Sequence, residues 1–77
     1  MSELDRMRWN CRRGMLELDI VLERFLVRHL DRLPAADHSR FKALLEYSDN
    51  DLWDLVSGRL EADSGEDERI LSLIRTP

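Results

Sequence analysis

Two guanidiniums side by side, Arg12 and Arg13, stand between Trp9 and Gly14 in the run WNCRRGMLELD, residues 9–19. These residue types suit recognition more than turnover. An arginine fork meets a carboxylate through two parallel N–H···O bonds, Trp and Arg are enriched among protein interface hot spots, and a glycine lets a second surface come close to the backbone. Arg6, Arg8, Arg12 and Arg13 around one indole are also the stacking and phosphate-binding mixture that nucleic-acid binders use. Cys11 lies beside two cations that would lower a thiol pKa. No histidine is close to it in sequence to complete a nucleophile pair, so it is read as a small buried apolar group.

The same stretch has a purely structural reading. Gly14 turns the chain between two helices, Glu17 favours the N-terminal end of the second through the helix dipole, and Arg13 and Glu17, four apart, can pair if both are helical. That accounts for the glycine and the glutamate. It does not require two adjacent arginines next to a tryptophan.

Other chemistry is not written into the chain. His29 and His38 are too far apart for an i, i+4 ligand pair and have no cysteines at zinc spacing, so both read as surface or core-edge side chains and no metal is expected. Three glycines make no phosphate-binding loop, and 77 residues enclose no Ser-His-Asp set. The acidic clusters Asp49, Asp51, Asp54 and Glu66, Asp67, Glu68 read as solvated caps in first helical turns, where the dipole favours negative charge. The chain is not expected to be an enzyme.

What must position residues 9–19 is a set of short helices. Ser2-Glu3-Leu4-Asp5 is a capping pattern that starts a first helix ending near Asn10. Leu18, Val21, Leu22, Phe25 and Leu26, extended by Leu30, lie on one face of a second helix from about Met15 to Leu30, which the pattern makes the centre of the bundle. After Pro34, Asp37 falls in the first turn of a third helix carrying Phe41, Leu44 and Leu45. Ser48 opens a fourth with Leu52, Leu55 and Val56, ended by Gly58. Ser64 opens a fifth with the stripe Ile70, Leu73 and Ile74. The expected fold is all-α, a compact bundle of five short helices in one domain over residues 1–77.

Composition fits this and narrows the partners. An apolar fraction of 43% with 36% charged residues is that of a folded helical domain. No apolar run approaches the roughly 18 residues of a membrane span, so no membrane insertion is expected. The first residues lack a signal or transit pattern, and one cysteine fits a reducing compartment, so the chain reads as cytoplasmic. Residues 6–14 hold four arginines and no acids, while the rest of the chain from Met15 has eight basic against fourteen acidic residues. An acidic body behind a small basic cap weakens any phosphate-driven affinity. From the residues alone, a helical protein–protein adaptor leads and a small nucleic-acid binder trails it.

The run Trp9-Asn10-Cys11-Arg12-Arg13-Gly14-Met15-Leu16-Glu17-Leu18-Asp19 resembles the signature of the small FAD assembly factors of succinate dehydrogenase and fumarate reductase, whose hallmark is R-G-x-x-E. The extended form W-x-C-R-R-G-M-x-E-L-D is far more specific than the hallmark alone. Chain length, Leu44-Leu45-Glu46 and the Asp51-Leu52-aromatic helix agree with it. Two departures fall outside the motif: Leu55 stands where a second aromatic is usual, and Arg59-Leu60-Glu61-Ala62-Asp63 lacks the usual Lys-Pro. The resemblance implies a five-helix assembly factor that binds the flavoprotein subunit of the respiratory complex. It would promote covalent attachment of FAD to a histidine of that subunit, while itself holding no cofactor stably. It implies that Arg13, Gly14 and Glu17 dock at the flavoprotein, with Trp9, Arg12 and Met15 in support, and it gives His29 and His38 no part.

Overall fold

Serine side chains start three of the five helices. The structure, a computed structural model, describes residues 2–76, with Glu3 by its backbone alone. Helix α1 runs over Glu3–Asn10, and the Ser2 hydroxyl accepts from the Asp5 amide while the Ser2 amide donates back to the Asp5 carboxylate. Helix α4, Asp49–Ser57, begins with Ser48 accepting from the Asp51 amide; helix α5, Gly65–Arg75, begins with Ser64 accepting from the Asp67 amide. Each hydroxyl satisfies one of the N–H groups that a helix start leaves unpaired.

The other two starts have no side-chain cap. Helix α2, Leu16–His29, is preceded by Met15, and helix α3, Ala35–Leu44, by Pro34, whose carbonyl accepts from the Asp37 and His38 amides. A single 3₁₀ turn, Leu30–Arg32, carries the chain from α2 towards Pro34. Gly58 ends α4 in the left-handed conformation, as its position predicts. The fold is the expected all-α arrangement, with no strand among the described residues.

Burial follows the predicted stripes closely, except that Val21 and Leu26 of the α2 stripe are only partly covered. Leu18, Leu22, Phe25 and Leu30, then Phe41, Leu44 and Leu45, then Leu52, Leu55 and Val56, and finally Ile70 and Ile74 all lie in one core. Phe25 and Phe41 face each other across α2 and α3 with ring centroids 4.7 Å apart. Burying each such ring stabilises the fold by about 1.5–3 kcal/mol.

Two expectations change. Leu71, not Leu73, completes the buried stripe of α5; Leu73 is only partly covered. And α5, not α2, is the helix on which the others converge, since it packs on α2, α3 and α4. The reason lies in the breadth of its apolar arc: adjacent Ile70 and Leu71 are both fully covered, which needs neighbours on two sides. Helix α2 leaves Leu16, Ile20 and Val27 largely open to solvent.

Arginines stitch the helices together. Arg69 of α5 holds the carboxylate of Asp37 on α3 through both terminal nitrogens, and Asp37 is itself buried. The Arg69 hydrogen bond outweighs the effect of burial and holds the Asp37 carboxyl below the usual carboxylate range. Arg75 reaches back to the end of α4, donating to the carbonyls of Val56 at 2.6 Å and Leu55 at 2.7 Å and pairing with Glu68.

Candidate partner-binding surface

The loop between α1 and α2 is the most heavily clamped connection near the motif. Gly14 adopts φ +85, a left-handed conformation that an L side chain enters only at about 1–2 kcal/mol. The turn aims the amides of residues 13 and 14 the same way. Asp19, in the first turn of α2, takes both: the Arg13 amide donates to Oδ1 at 2.8 Å and the Gly14 amide to Oδ2 at 3.2 Å. Asp19 thus supplies from inside the helix the anchor that Met15 cannot provide ahead of it.

Arg13 lies outside α2 and points away from it. Its Nε donates to Asp49 Oδ1 at 2.7 Å, Nη1 to the carbonyls of Leu45 at 2.6 Å and Asn10 at 3.3 Å, and Nη2 to the carbonyl of Tyr47. The side chain is 13% exposed. The conditional pairing of Arg13 with Glu17 is therefore not the one formed; Asp49 takes the guanidinium. Asp49, expected as a solvated cap, is instead half-buried in this ion pair, because the α3–α4 junction folds against the loop.

Around this clamped loop the side chains are open. Trp9 is 65% exposed, and Arg12 and Glu17 are exposed as well, while Met15 is half-buried against the core. Trp9, Arg12 and Arg13 line a shallow hollow of about 410 Å³ with Leu45 and Asp49. Arg12 and Gly14 also border a larger groove of about 690 Å³, closed on its other side by Glu23, Leu26 and Val27 of α2. The structure therefore brings Trp9, Arg12, Arg13 and Gly14 together. Met15 and Glu17 line neither depression; Glu17 sits in the exposed first turn of α2, three residues beyond Gly14.

Several residues of this region are absent from the expected set. Asp19 and Asp49 hold the loop, and Leu16, Ile20 and Val27 form an apolar strip on the outer face of α2. The strip was readable, since positions 16, 20 and 27 fall within about 40° of one another at 100° per residue. The two carboxylates carry no local signal.

Cys11 is buried as expected. Burial pushes its thiol up to about 12, against the lowering effect of Arg13 and with a further push from Asp19. At neutral pH it stays protonated and unreactive. His29 packs its ring on Phe25 and His38 places Nε2 3.2 Å from the Leu30 carbonyl, so both are core-edge side chains. Among the described residues no group of three or more His, Cys, Asp or Glu is placed to hold a metal, and no helix is long and apolar enough to cross a membrane.

Fold and surface together define a small all-helical protein whose α1–α2 loop is cationic and adjoins an exposed tryptophan in the last turn of α1. Comparison with known proteins gives the class a family. Residues 5–77 match the family Sdh5, described as flavinator of succinate dehydrogenase. Among curated relatives, the FAD assembly factor SdhE of Legionella pneumophila (strain Lens) is 41% identical over 73 residues, covering 95% of this chain and 91% of its own. The protein of the same name from Ralstonia nicotianae is 42% identical over 74 residues, covering 91% of this chain and 78% of its own. That from Pectobacterium atrosepticum is 41% identical over 71 residues, covering 92% and 81%. No solved structure matches the chain. The chain belongs to the flavinator family, whose members are assembly factors with a chaperone-like role and not catalysts.

Proposed function

We propose that this chain binds the flavoprotein subunit of succinate dehydrogenase, or of fumarate reductase, in the cytoplasm and promotes covalent attachment of FAD to that subunit. The surface is that of the motif, Arg13, Gly14 and Glu17, with Trp9, Arg12 and Met15 in support. One observation carries this reading: in a chain of the flavinator family, the motif loop is rigidly held while Trp9, Arg12 and Glu17 on and around it face solvent. An exposed indole beside an exposed guanidinium on a fixed loop is the combination of residue types enriched where protein partners dock.

The contribution is positional. A rigid surface that fits one conformation of the flavoprotein raises the population of that conformation. If the favoured state aligns the flavin with the subunit's own histidine, the gain in rate comes from orientation, without a reacting group from this chain. The fixed loop matters for the same reason, because a surface that must be ordered on binding spends part of its contact energy on ordering.

Covalent flavin fluorescence of the flavoprotein subunit, resolved on a denaturing gel after assembly with and without this chain, tests the reading. The expected result is a clear increase that Gly14→Arg removes. Equal fluorescence with and without the chain, for a folded subunit supplied with FAD and a dicarboxylate, would overturn it and leave a helical adaptor with another partner.

A further inference from the structure

Inside the motif, the residues that face solvent and the residue that is most heavily bonded are different ones. Trp9, Arg12 and Glu17 are exposed, and no hydrogen bond or ion pair of their side chains is formed within the described residues. Arg13 is the reverse: its guanidinium contacts one carboxylate and three backbone carbonyls, and its backbone amide is taken by Asp19.

We propose that Arg13 is a positioning residue: it acts through Asp49 and the carbonyls of Leu45 and Tyr47 to set the attitude of the Gly14–Glu17 surface, and does not itself meet the flavoprotein. The proposal rests on the function given above and assigns one of its motif residues a different task.

Three features support it. First, little donor capacity is left to offer. A guanidinium has five N–H groups, and four contacts already engage Arg13 within the molecule. Turning it towards a partner would strip the Leu45 carbonyl, at the C-cap of α3, of a charge-assisted bond in a place where helix carbonyls lack intrahelical partners. Second, the bonds span the fold. Leu45, Tyr47 and Asp49 lie 32, 34 and 36 residues from Arg13 in the chain, so the side chain fixes the loop against the α3–α4 junction.

Third, the loop needs such a fixture. Helix α2 starts without a side-chain cap, and Gly14 at φ +85 offers no side chain of its own to pack the turn against its neighbours. Asp19 holds the backbone from the α2 side and Arg13 from the α3–α4 side. A lysine would keep the charge but present one ammonium, which cannot span a carboxylate and two carbonyls as a planar fork does.

The experiment uses the full chain with Asp49→Ala, Asp51→Ala and Arg13→Lys, and the double variant Arg13→Lys/Asp49→Ala. Asp51 is the control: it lies in the same first turn of α4 and is exposed, and its amide, not its carboxylate, makes the capping bond to Ser48. Two quantities are read: hydrogen exchange of the Arg13 and Gly14 amides in the free protein, and Kd for the flavoprotein subunit. Asp49→Ala and Arg13→Lys should each speed exchange at both amides and weaken binding about tenfold, the size of one charge-assisted bond. The double variant should be no worse than the worse single one, since both break one unit. Exchange in the α5 core should rise only with the global loss of stability, and by less than at the two loop amides, while every reading for Asp51→Ala should stay unchanged.

Asp49→Ala at wild-type values in both readings, with Arg13→Lys still binding weakly, would overturn the proposal and make Arg13 a direct contact. Additive losses in the double variant would overturn it too, as would an Asp51→Ala effect equal to that of Asp49→Ala. Absence of binding by the wild-type chain would instead sink the proposed function, while the exchange data would still decide whether Asp49 and Arg13 hold the loop.

Discussion

Arg13 ties the loop ahead of α2 to the α3–α4 junction, and Arg75 ties the end of α5 to the end of α4. Each guanidinium satisfies carbonyls at or just past a helix C-terminus, three for Arg13 and two for Arg75, and pairs with one carboxylate, Asp49 in the first case and Glu68 in the second. Each sits in a depression bordered by a left-handed glycine, or directly beside one: Gly14 at φ +85 follows Arg13, and Gly58 at φ +87 lines the same hollow as Arg75. The backbone engineering is the same. The surroundings are not: Trp9 and Arg12 flank the first clasp, whereas Leu60, Glu61 and Glu68 flank the second. An arginine clasp beside a left-handed glycine is therefore a way of building a firm corner in a small helical domain, and what distinguishes the motif corner is the exposed cationic and aromatic side chains mounted on it.

Matched substitutions at the two glycines give the largest expected contrast. Neither position has an atom within 4 Å of an added Cβ, so Gly14→Arg and Gly58→Arg carry the same backbone strain, about 1–2 kcal/mol, and both variants should stay folded. On the proposed function, only Gly14→Arg should abolish the complex with the flavoprotein, a loss of about 100-fold or more in Kd, because a long cationic side chain then stands on the proposed contact surface. Thermal unfolding with calorimetric binding checks both halves. Equal loss of binding in the two variants would reduce the motif glycine to a stability element, and so would a Gly14→Arg protein that melts while Gly58→Arg does not.

The next contrast removes the clasps themselves. Arg13→Ala and Arg75→Ala should each destabilise the domain by about 1–3 kcal/mol, the range for hydrogen bonds to a charged group. Arg13→Ala should also weaken flavoprotein binding about tenfold, whereas Arg75→Ala should leave Kd within about twofold once the unfolded fraction is allowed for. If Arg75→Ala weakened binding as much, the partner footprint would extend to the α4–α5 corner.

Glu17→Gln is a smaller change. The Glu17 side chain is exposed and makes no hydrogen bond or ion pair among the described residues, so stability should move by less than about 0.5 kcal/mol. A docking role predicts that binding weakens several-fold, about 1 kcal/mol by the same conversion, and that flavinylation falls in step. Flavinylation lost with binding intact would instead give Glu17 a part in proton movement at the composite site.

These contrasts also show where sequence reading reaches its limit. Ser2, Ser48 and Ser64 act within three residues of themselves, and the stripes through Leu22, Phe41, Leu52 and Ile74 repeat within one or two turns, so caps and core were legible. The choice of Leu73 over Leu71 followed a strict i, i+3, i+4 template, which a helix covered on several sides does not obey. Arg13 shows the sharper failure. Its nearest acid in helical register is Glu17, but its partner is Asp49, 36 residues away, brought close only when α3 and α4 fold over the loop. Periodicity likewise gives Asp19 no special place, although both its carboxylate oxygens are used. Local rules describe elements, while the clamps that orient the motif are tertiary.

A third arginine pair bounds the comparison from the other side. Arg69 and Asp37 join α5 to α3, and their carboxylate is buried, unlike the half-buried Asp49. Arg69 holds the Asp37 carboxyl below its ordinary value, so the folded protein keeps this group ionised to lower pH than the unfolded chain, whose Asp titrates near about 3.9. A depressed folded value contributes stability that is complete above the unfolded pKa and is lost as pH falls through the folded one. Asp37→Asn should therefore lower the denaturant midpoint at neutral pH, and its deficit against wild type should stay constant down to about pH 5 and shrink below about pH 4. Flavoprotein affinity at neutral pH should not change. A deficit that stayed constant through the acid range would mean that Asp37 contributes through packing and neutral hydrogen bonding instead of charge, and a change in affinity would mean that the α3–α5 seam, and not only the loop at Gly14, shapes the partner surface.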